Sequence, residues 1–568
     1  MTAGTATDVW FGPVDRSLHG WFHVPEGGVA RGAVVLCPPV GNEQIVSQLT
    51  LRMFAEHLAA HGIAALRFDY PGTCDSAGAF TDPDLAEQWI TSTGTAVQFV
   101  RDCGVHDVAV VGLRMGATLA SVAADRGYLG ETAGLVLWDP IAKGRTFIRK
   151  EHSTHLVSSH RAADDSDNVE GPGFVYSADL AAALADLTLV PNIGVEVLVA
   201  VRSGSSDSQL RRLTGVEPGS IVEVDGMPQL FDVVDMQSRV PMAAIDTITS
   251  WLTAHLVGPS SHVRETGRSM GVVDASVTPP IVERFVTLGK SRLAAVVCER
   301  EGNDGPFLFM TSTAMSYHVG QARIWTALSR ELARRGVTCV RVDNDDIGDS
   351  PLASVAGPRI YRRDSVTQLS AAIADATKGR EGTAVATIGL SSGAWMAAEV
   401  GFVTPLTATY LINPLVWEQD PPSLGITDPI GAQTGLRQAW ARFWESPIVK
   451  RLNLGAVSKF AANTYWKLAT IVGRSRGPIR VLRPLVDRGT RVTVFMGTVE
   501  QMWFRRGSTR SGRRWLARTP EVRLVTYESL DHSLMTAQDR HRVLGVLLST
   551  IPQDLGASER LDHMEGTA

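Results

Sequence analysis

The sequence predicts an α/β protein built as two tandem domains, each a mostly parallel sheet with helices on both faces and a helical cap insertion. Three observations point there: a repeat of roughly half the chain, short apolar runs alternating with Gly-closed helices, and two copies of a strand–turn–helix stretch. The repeat comes first. "LAAHGIAALRFDYPGTCDS" (58–76) aligns with "LARRGVTCVRVDNDDIGDS" (332–350), pairing Gly62 with Gly336, Arg67 with Arg341, Asp69 with Asp343 and Asp75-Ser76 with Asp349-Ser350, all offset by 274. "LWDP" (137–140) meets "LINP" (411–414) at the same offset, and the turn stretches follow at 277. A period this long is a duplicated domain, since solenoid repeats run to about 20–50 residues.

Each copy reads as strand, helix, strand in succession. The first has "GAVVLCP", the helix "SQLTLRMFAEHLAAHG", then "IAALRFDY", "VAVVGL" and "GLVLWD". The second has "GPFLFM", "QARIWTALSRELARRG", "VTCVRVD", "TAVATIGL" and "TATYLIN". Unbroken Val/Ile/Leu runs between amphipathic helices imply parallel strands buried on both faces. The Gly/Ser/Pro-rich stretch 258–280 is the expected linker, which divides the chain into domains at 1–257 and 281–556 with a frayed tail at 557–568. The longer insertion in the second copy, about 417–485, is the expected cap. It carries Trp417, Trp440, Phe443, Trp444, Phe460, Tyr465 and Trp466, aromatics suited to an apolar or acyl substrate.

Bulk composition narrows the class. At 568 residues the chain exceeds one ordinary core, and 44% hydrophobic with 20% charged residues fits a globular protein. A formal net charge of −5 argues against a generally basic nucleic-acid binder. No apolar run reaches the ~18 residues of a membrane span, and the N-terminus lacks a basic region followed by an apolar core. The five scattered cysteines, with no CxxC pair, fit reduced thiols in the cytoplasm rather than disulfides or zinc. No metal cluster, phosphate loop or dinucleotide fingerprint is present, so no cofactor is expected.

The chemistry is expected at "IGLSSGAWMA" (388–397). Strand, G-x-S-x-G, helix is the turn that exposes a nucleophilic serine, because glycines two before and two after it let the chain reverse without Cβ clashes. Ser391 is the serine. It needs a base and an orienting acid, in the chain order serine, acid, histidine. Glu500 follows the late strand "RVTVFM" and His532 follows the next, "VRLVTY"; Asp531, beside the histidine, is the alternative acid. The oxyanion donors would be the N–H of Ser392 and one from "TSTAM", at Ser312 or Thr313.

With these motifs, both halves resemble α/β-hydrolase-fold serine hydrolases over about 250 residues each. "CPPVGNEQ", "RFDYPGTCDSAG" and "GLRMGATLA" resemble hydrolases associated with bacterial exosortase and exopolysaccharide gene clusters, and "HVGQARIW", "DIGDS" and "GLSSGA" a sister group. The resemblance implies esterase, thioesterase, peptidase or acyltransferase chemistry. Cys74 departs from it, standing where the motif carries glycine.

The first copy has "VGLRMGATLA", with Arg114 in the serine position. Its acid position falls near Ser205 and Asp207, and Gln229 stands about where His532 does. With every role altered, the first copy reads as a structural partner, or as a site where Arg114 binds a carboxylate or phosphate. Residues 474–518 hold twelve arginines against Asp487 and Glu500. Arg505, Arg506, Arg513 and Arg514 form a candidate docking face for an anionic acyl carrier protein or coenzyme A. The expectation is therefore a cytoplasmic serine hydrolase acting on an acyl ester or thioester through Ser391, with acyl transfer, peptide cleavage or a non-catalytic binding pair as alternatives.

Overall fold

The computed structural model describes residues 4–557 except 160–166, 191–193, 205–219, 233–237, 265, 315, 353–358, 418–423 and 426–476. Two large sheets organise it, of eight and nine strands. The first runs, edge to edge, Thr5–Phe11, Leu18–Val24, Ala64–Phe68, Ala33–Cys37, Val108–Leu113, Gly134–Trp138, Val197–Arg202 and Ile221–Val224. The second repeats that order as Ile281–Leu288, Leu293–Arg300, Thr338–Val342, Phe307–Thr311, Val385–Leu390, Ala408–Ile412, Arg491–Met496 and Val522–Thr526. An extra strand, Gly271–Asp274, is added at its edge. In both sheets the strands pair antiparallel up to the third of this series and parallel from there on. The central strands are buried along their whole length, as expected for sheets covered on both faces.

The expected linker is built into both halves. Ser261–His262 pairs with Val29–Ala30 of the first, while Gly271–Asp274 extends the sheet of the second. Its Gly/Ser/Pro composition hid two short strands, one whose partner lies far away in sequence and one that pairs with the strand directly following it. The second-copy helix also starts differently from expectation. A single turn, Gln321–Arg323, precedes the helix Ile324–Arg334, and Ala322 and Arg323 take positive φ between them. Of the expected cap, 418–423 and 426–476 lie outside the described residues. Trp417 is buried against Phe504, and the helix Pro478–Asp487 packs Val481, Leu482 and Leu485 into the main core rather than standing off as cap. The corresponding insertion of the first copy consists of the helices Gly144–Ser159 and Ala178–Asp186 around a small hairpin, Val169–Glu170 and Val175–Tyr176.

Candidate active site

The site is built from the ends of the parallel strands of the second sheet. Val385–Leu390 runs into Ser391, which takes φ 54° and ψ −113°, and the helix Ser392–Val400 begins at the next residue. Such a backbone costs a non-glycine residue about 1–3 kcal/mol and needs support. The support is close packing. A Cβ on Gly389 would lie 2.2 Å from the Gly393 carbonyl carbon, and one on Gly393 would lie 2.7 Å from Thr311 Oγ1. Only glycine at both positions lets strand, turn and helix approach this closely.

Two later strands bring in the partners. Glu500 sits in the first turn of the helix Thr498–Gly507, buried, directly after Arg491–Met496. His532 lies in the loop between Val522–Thr526 and the closing helix Ala537–Leu555. His532 Nδ1 is 2.9 Å from Glu500 Oε1, and His532 Nε2 is 2.9 Å from Ser391 Oγ. With Nδ1–H donating to the carboxylate, Nε2 is free to accept from the hydroxyl. Asp531 faces elsewhere: its carboxylate accepts the backbone N–H groups of Ser533, Met535 and Thr536 and shapes the histidine loop.

One residue of this arrangement went unnoticed in the sequence. Asn413, fully buried at the end of Ala408–Ile412, donates to the carbonyls of Asp531 (2.9 Å) and His532 (3.0 Å) and accepts from Gly497 N–H (3.0 Å). It ties the acid's turn to the histidine's loop. The available signal was the "LINP"/"LWDP" match, which marks a strand end but not a partner.

The hydroxyls of Ser312 and Thr313 bond the carbonyls of Val342 and Leu390, so these side chains are structural. Ala314 N–H donates to Ser392 Oγ at 3.0 Å, which seats the loop after Phe307–Thr311 directly on the turn. Ser392 opens its helix, where backbone N–H groups have no intrahelical acceptor.

The first copy has the same turn filled differently. Arg114 takes φ 57° and ψ −120° at the start of the helix Met115–Asp125. Its guanidinium forks onto Glu43 (3.1 and 3.2 Å) and also meets the Asp139 carboxylate at 3.2 Å. Arg202 donates to the same Asp139 oxygen, Oδ2, at 2.8 Å, and Lys150 reaches Glu43 at 3.1 Å. The anions expected of an external ligand are thus supplied from within. Burial would raise the Glu43 carboxyl, but the Arg114 and Lys150 charges outweigh it and hold it below its usual range. Neighbouring Glu151 goes the other way, pushed up to about 7 by burial and by the Glu43 charge. Gln229 lies exposed in the short helix Met227–Phe231, and Ser205 and Asp207 fall outside the described residues.

Arg505, Arg506, Arg513 and Arg514 are all exposed on the helices Thr498–Gly507 and Arg510–Leu516. Arg513 also donates to the Arg505 and Ser508 carbonyls at a helix end, and Arg506 lies over the Trp503 ring. Two groups bring possible metal ligands within 4.8 Å of one another: His19, Asp69 and Asp75, and His318, Asp343 and Asp349. Both sit at the seam between the copies, where Arg341 meets Asp75 and Arg67 meets Asp349, so cationic side chains already serve these carboxylates.

The strand order, with strand four inserted between two and three and the sharp strand-to-helix turn after strand five, is common to both sheets. Both halves have the α/β-hydrolase fold. Solved structures similar to the chain each match about half of it. Est1E from Butyrivibrio proteoclasticus is 12% identical over 44% of this chain and 98% of its own, with a TM-score of 0.33. An esterase of Pyrococcus furiosus is 15% identical over 44% and 92%, at 0.32. A proline iminopeptidase of Mycobacterium smegmatis is 13% identical over 44% and 99%, at 0.30. No family model and no curated protein matches the chain. Among the described residues, no helix is long and apolar enough to cross a membrane.

Proposed function

We propose that the protein is a serine hydrolase cleaving an acyl ester or thioester through an acyl-enzyme on Ser391. The observation that carries this reading is the unbroken chain of two 2.9 Å contacts from Glu500 through His532 to Ser391. In the first step His532 Nε2 takes the Ser391 proton as Oγ attacks the substrate carbonyl carbon. The resulting oxyanion is met by the Ser392 N–H and a backbone donor of the 312–314 loop. Collapse expels the alcohol or thiol, which receives the proton from His532. Water, deprotonated by the same histidine, then releases the acid. Glu500 keeps the imidazole in the tautomer that accepts from serine and offsets its transient charge. Hydrolysis of p-nitrophenyl butyrate should fall about 10⁶-fold in Ser391→Ala, with the melting temperature kept. Turnover at the wild-type rate in that variant would refute the reading.

The leaving group we favour is an anionic carrier. Exposed Arg505, Arg506 and Arg514 share the helical surface beyond Glu500 with exposed Val499, Met502 and Trp503, a cationic and apolar face together. Raising salt from 0.1 to 1 M shortens the screening length from about 10 to about 3 Å. It should therefore raise KM for a coenzyme A thioester and leave p-nitrophenyl butyrate unaffected. Equal responses would remove the carrier.

A further inference from the structure

We propose that the first domain acts as a positioning element for the Ser391 site, its Cys74 and Asp75 gripping the loop that supplies the second oxyanion donor. The inference rests on the reading of Ser391 as nucleophile. Residues 311–314 are seated on the reactive turn by Thr311, Thr313 and Ala314. A few residues on, the same loop is held from the other domain. Tyr317 donates its hydroxyl to Cys74 Sγ at 3.0 Å. His318 Nε2 lies 2.8 Å from Asp75 Oδ2, while Nδ1 lies 2.8 Å from Asp343 Oδ2 in its own domain. Arg323 then donates to the carbonyls of Cys74 (2.8 Å), Ser76 (3.0 Å) and Gly78 (3.2 Å).

The grip is ionic and buried. The side chains of His318, Asp75 and Asp343 are 1%, 2% and 0% exposed. Burial alone would lower the His318 pKa, yet the charges of Asp343 and Asp75 carry it up to about 10. An imidazolium donating both N–H groups to carboxylates cannot swing without stranding buried charge, so the loop has one orientation.

What marks this contact as more than docking is its direction. Two reciprocal pairs, Arg67 with Asp349 and Arg341 with Asp75, fasten the copies almost symmetrically. At the same 274 offset, His318 corresponds to Gln44 and Tyr317 to Glu43. Gln44 stays within its own domain, on Asp69 and Thr73, and Glu43 fills the turn of its own copy by binding Arg114. Cys74 corresponds to Gly348; both have positive φ, 36° and 56°. Glycine would adopt that backbone without strain, and the first domain carries there a side chain that reaches Tyr317. The first copy returns contacts across the seam from its helix Asn42–Ala60, where Gln48 meets Asp349 and Arg52 donates to the Gly348 and Ser350 carbonyls. What distinguishes the second copy is that Tyr317 and His318 reach across where Glu43 and Gln44 bond within their own copy.

A displaced oxyanion donor weakens the transition state and not substrate binding, so kcat and kcat/KM fall together. Losing one donor outright costs about 10²–10³-fold, and loosening its loop should cost about 10–100-fold. The test compares Asp75→Asn, Cys74→Gly and Tyr317→Phe with Arg268→Gln, which breaks the linker's contacts with the Phe11, Gly12 and Pro13 carbonyls of the first domain. For each, kcat and KM on p-nitrophenyl butyrate and the fluorophosphonate labelling rate of Ser391 are measured below the variant's melting temperature. Asp75→Asn should lose about 10–100-fold in kcat and in labelling rate with KM unchanged. The two milder variants should lose a few-fold, and Arg268→Gln should stay within about twofold. Should Asp75→Asn not fold, Cys74→Gly and Tyr317→Phe decide. Wild-type kcat in the loop variants, with Ser391→Ala inactive, overturns the inference alone, as does an equal loss in Arg268→Gln. Activity in Ser391→Ala overturns the function and this inference with it.

Discussion

Ser391 and Arg114 occupy the same backbone, φ 54° and ψ −113° against φ 57° and ψ −120°, each after the fifth strand of its sheet. Around Ser391 the neighbours are a histidine and a buried acid aligned on its hydroxyl. Around Arg114 they are Glu43 and Asp139, which neutralise a guanidinium. Asp139 and Asn413 occupy equivalent strand ends with φ of 46° and 47°. The asparagine ties down a histidine loop, whereas the aspartate balances two arginines. The shape of the turn is thus a property of the fold, set by glycines and sheet packing. Its chemistry belongs to the few side chains that converge on it.

That contrast can be broken at its strongest point by exchanging the acid. Glu500→Gln should cost about 10⁴-fold in kcat, because the amide no longer fixes the imidazole tautomer. Asp531→Asn should leave kcat within an order of magnitude and act chiefly on the melting temperature, since its carboxylate serves backbone N–H groups. The two kcat values, measured side by side on p-nitrophenyl butyrate, check this; the reverse ranking would hand the acid's role to Asp531. A smaller effect is expected at the other turn. Arg114→Ser leaves Glu43 to Lys150 and Asp139 to Arg202 alone, so the loss should fall below the about 3–5 kcal/mol that breaking a buried pair outright typically costs. Urea unfolding should report that loss, and no labelling should arise at residue 114, where nothing activates the new hydroxyl. A labelled Ser at 114 would mean the first copy retains a base.

Much of this was legible in the sequence because it depends on local pattern. The repeat, the apolar runs and the Gly-framed turn declare two α/β units, and chain order alone picked out Ser391, Glu500 and His532. Choosing between Glu500 and Asp531 needed coordinates, since both flank the same strand ends and only direction separates them. Asn413 was invisible for a related reason: its partners lie 84 to 119 residues away, on two different loops. The seam between the copies was harder still. Arg67, Asp75, Arg341 and Asp349 emerged as the best-matched repeat residues, which invites a catalytic reading. Their match comes from reciprocal contact across 266 and 282 residues. The linker's two strands were hidden as well, because Gly/Ser/Pro content reports on local stiffness and not on the distant edge that Ser261–His262 joins or the following strand that Gly271–Asp274 pairs with.

The most direct measurement is fluorophosphonate labelling of the wild-type chain followed by peptide mapping. The account predicts one adduct, on Ser391, formed slowly in Glu500→Gln and lost in Ser391→Ala. An adduct on another residue, or an unlabelled wild-type protein, would contradict it.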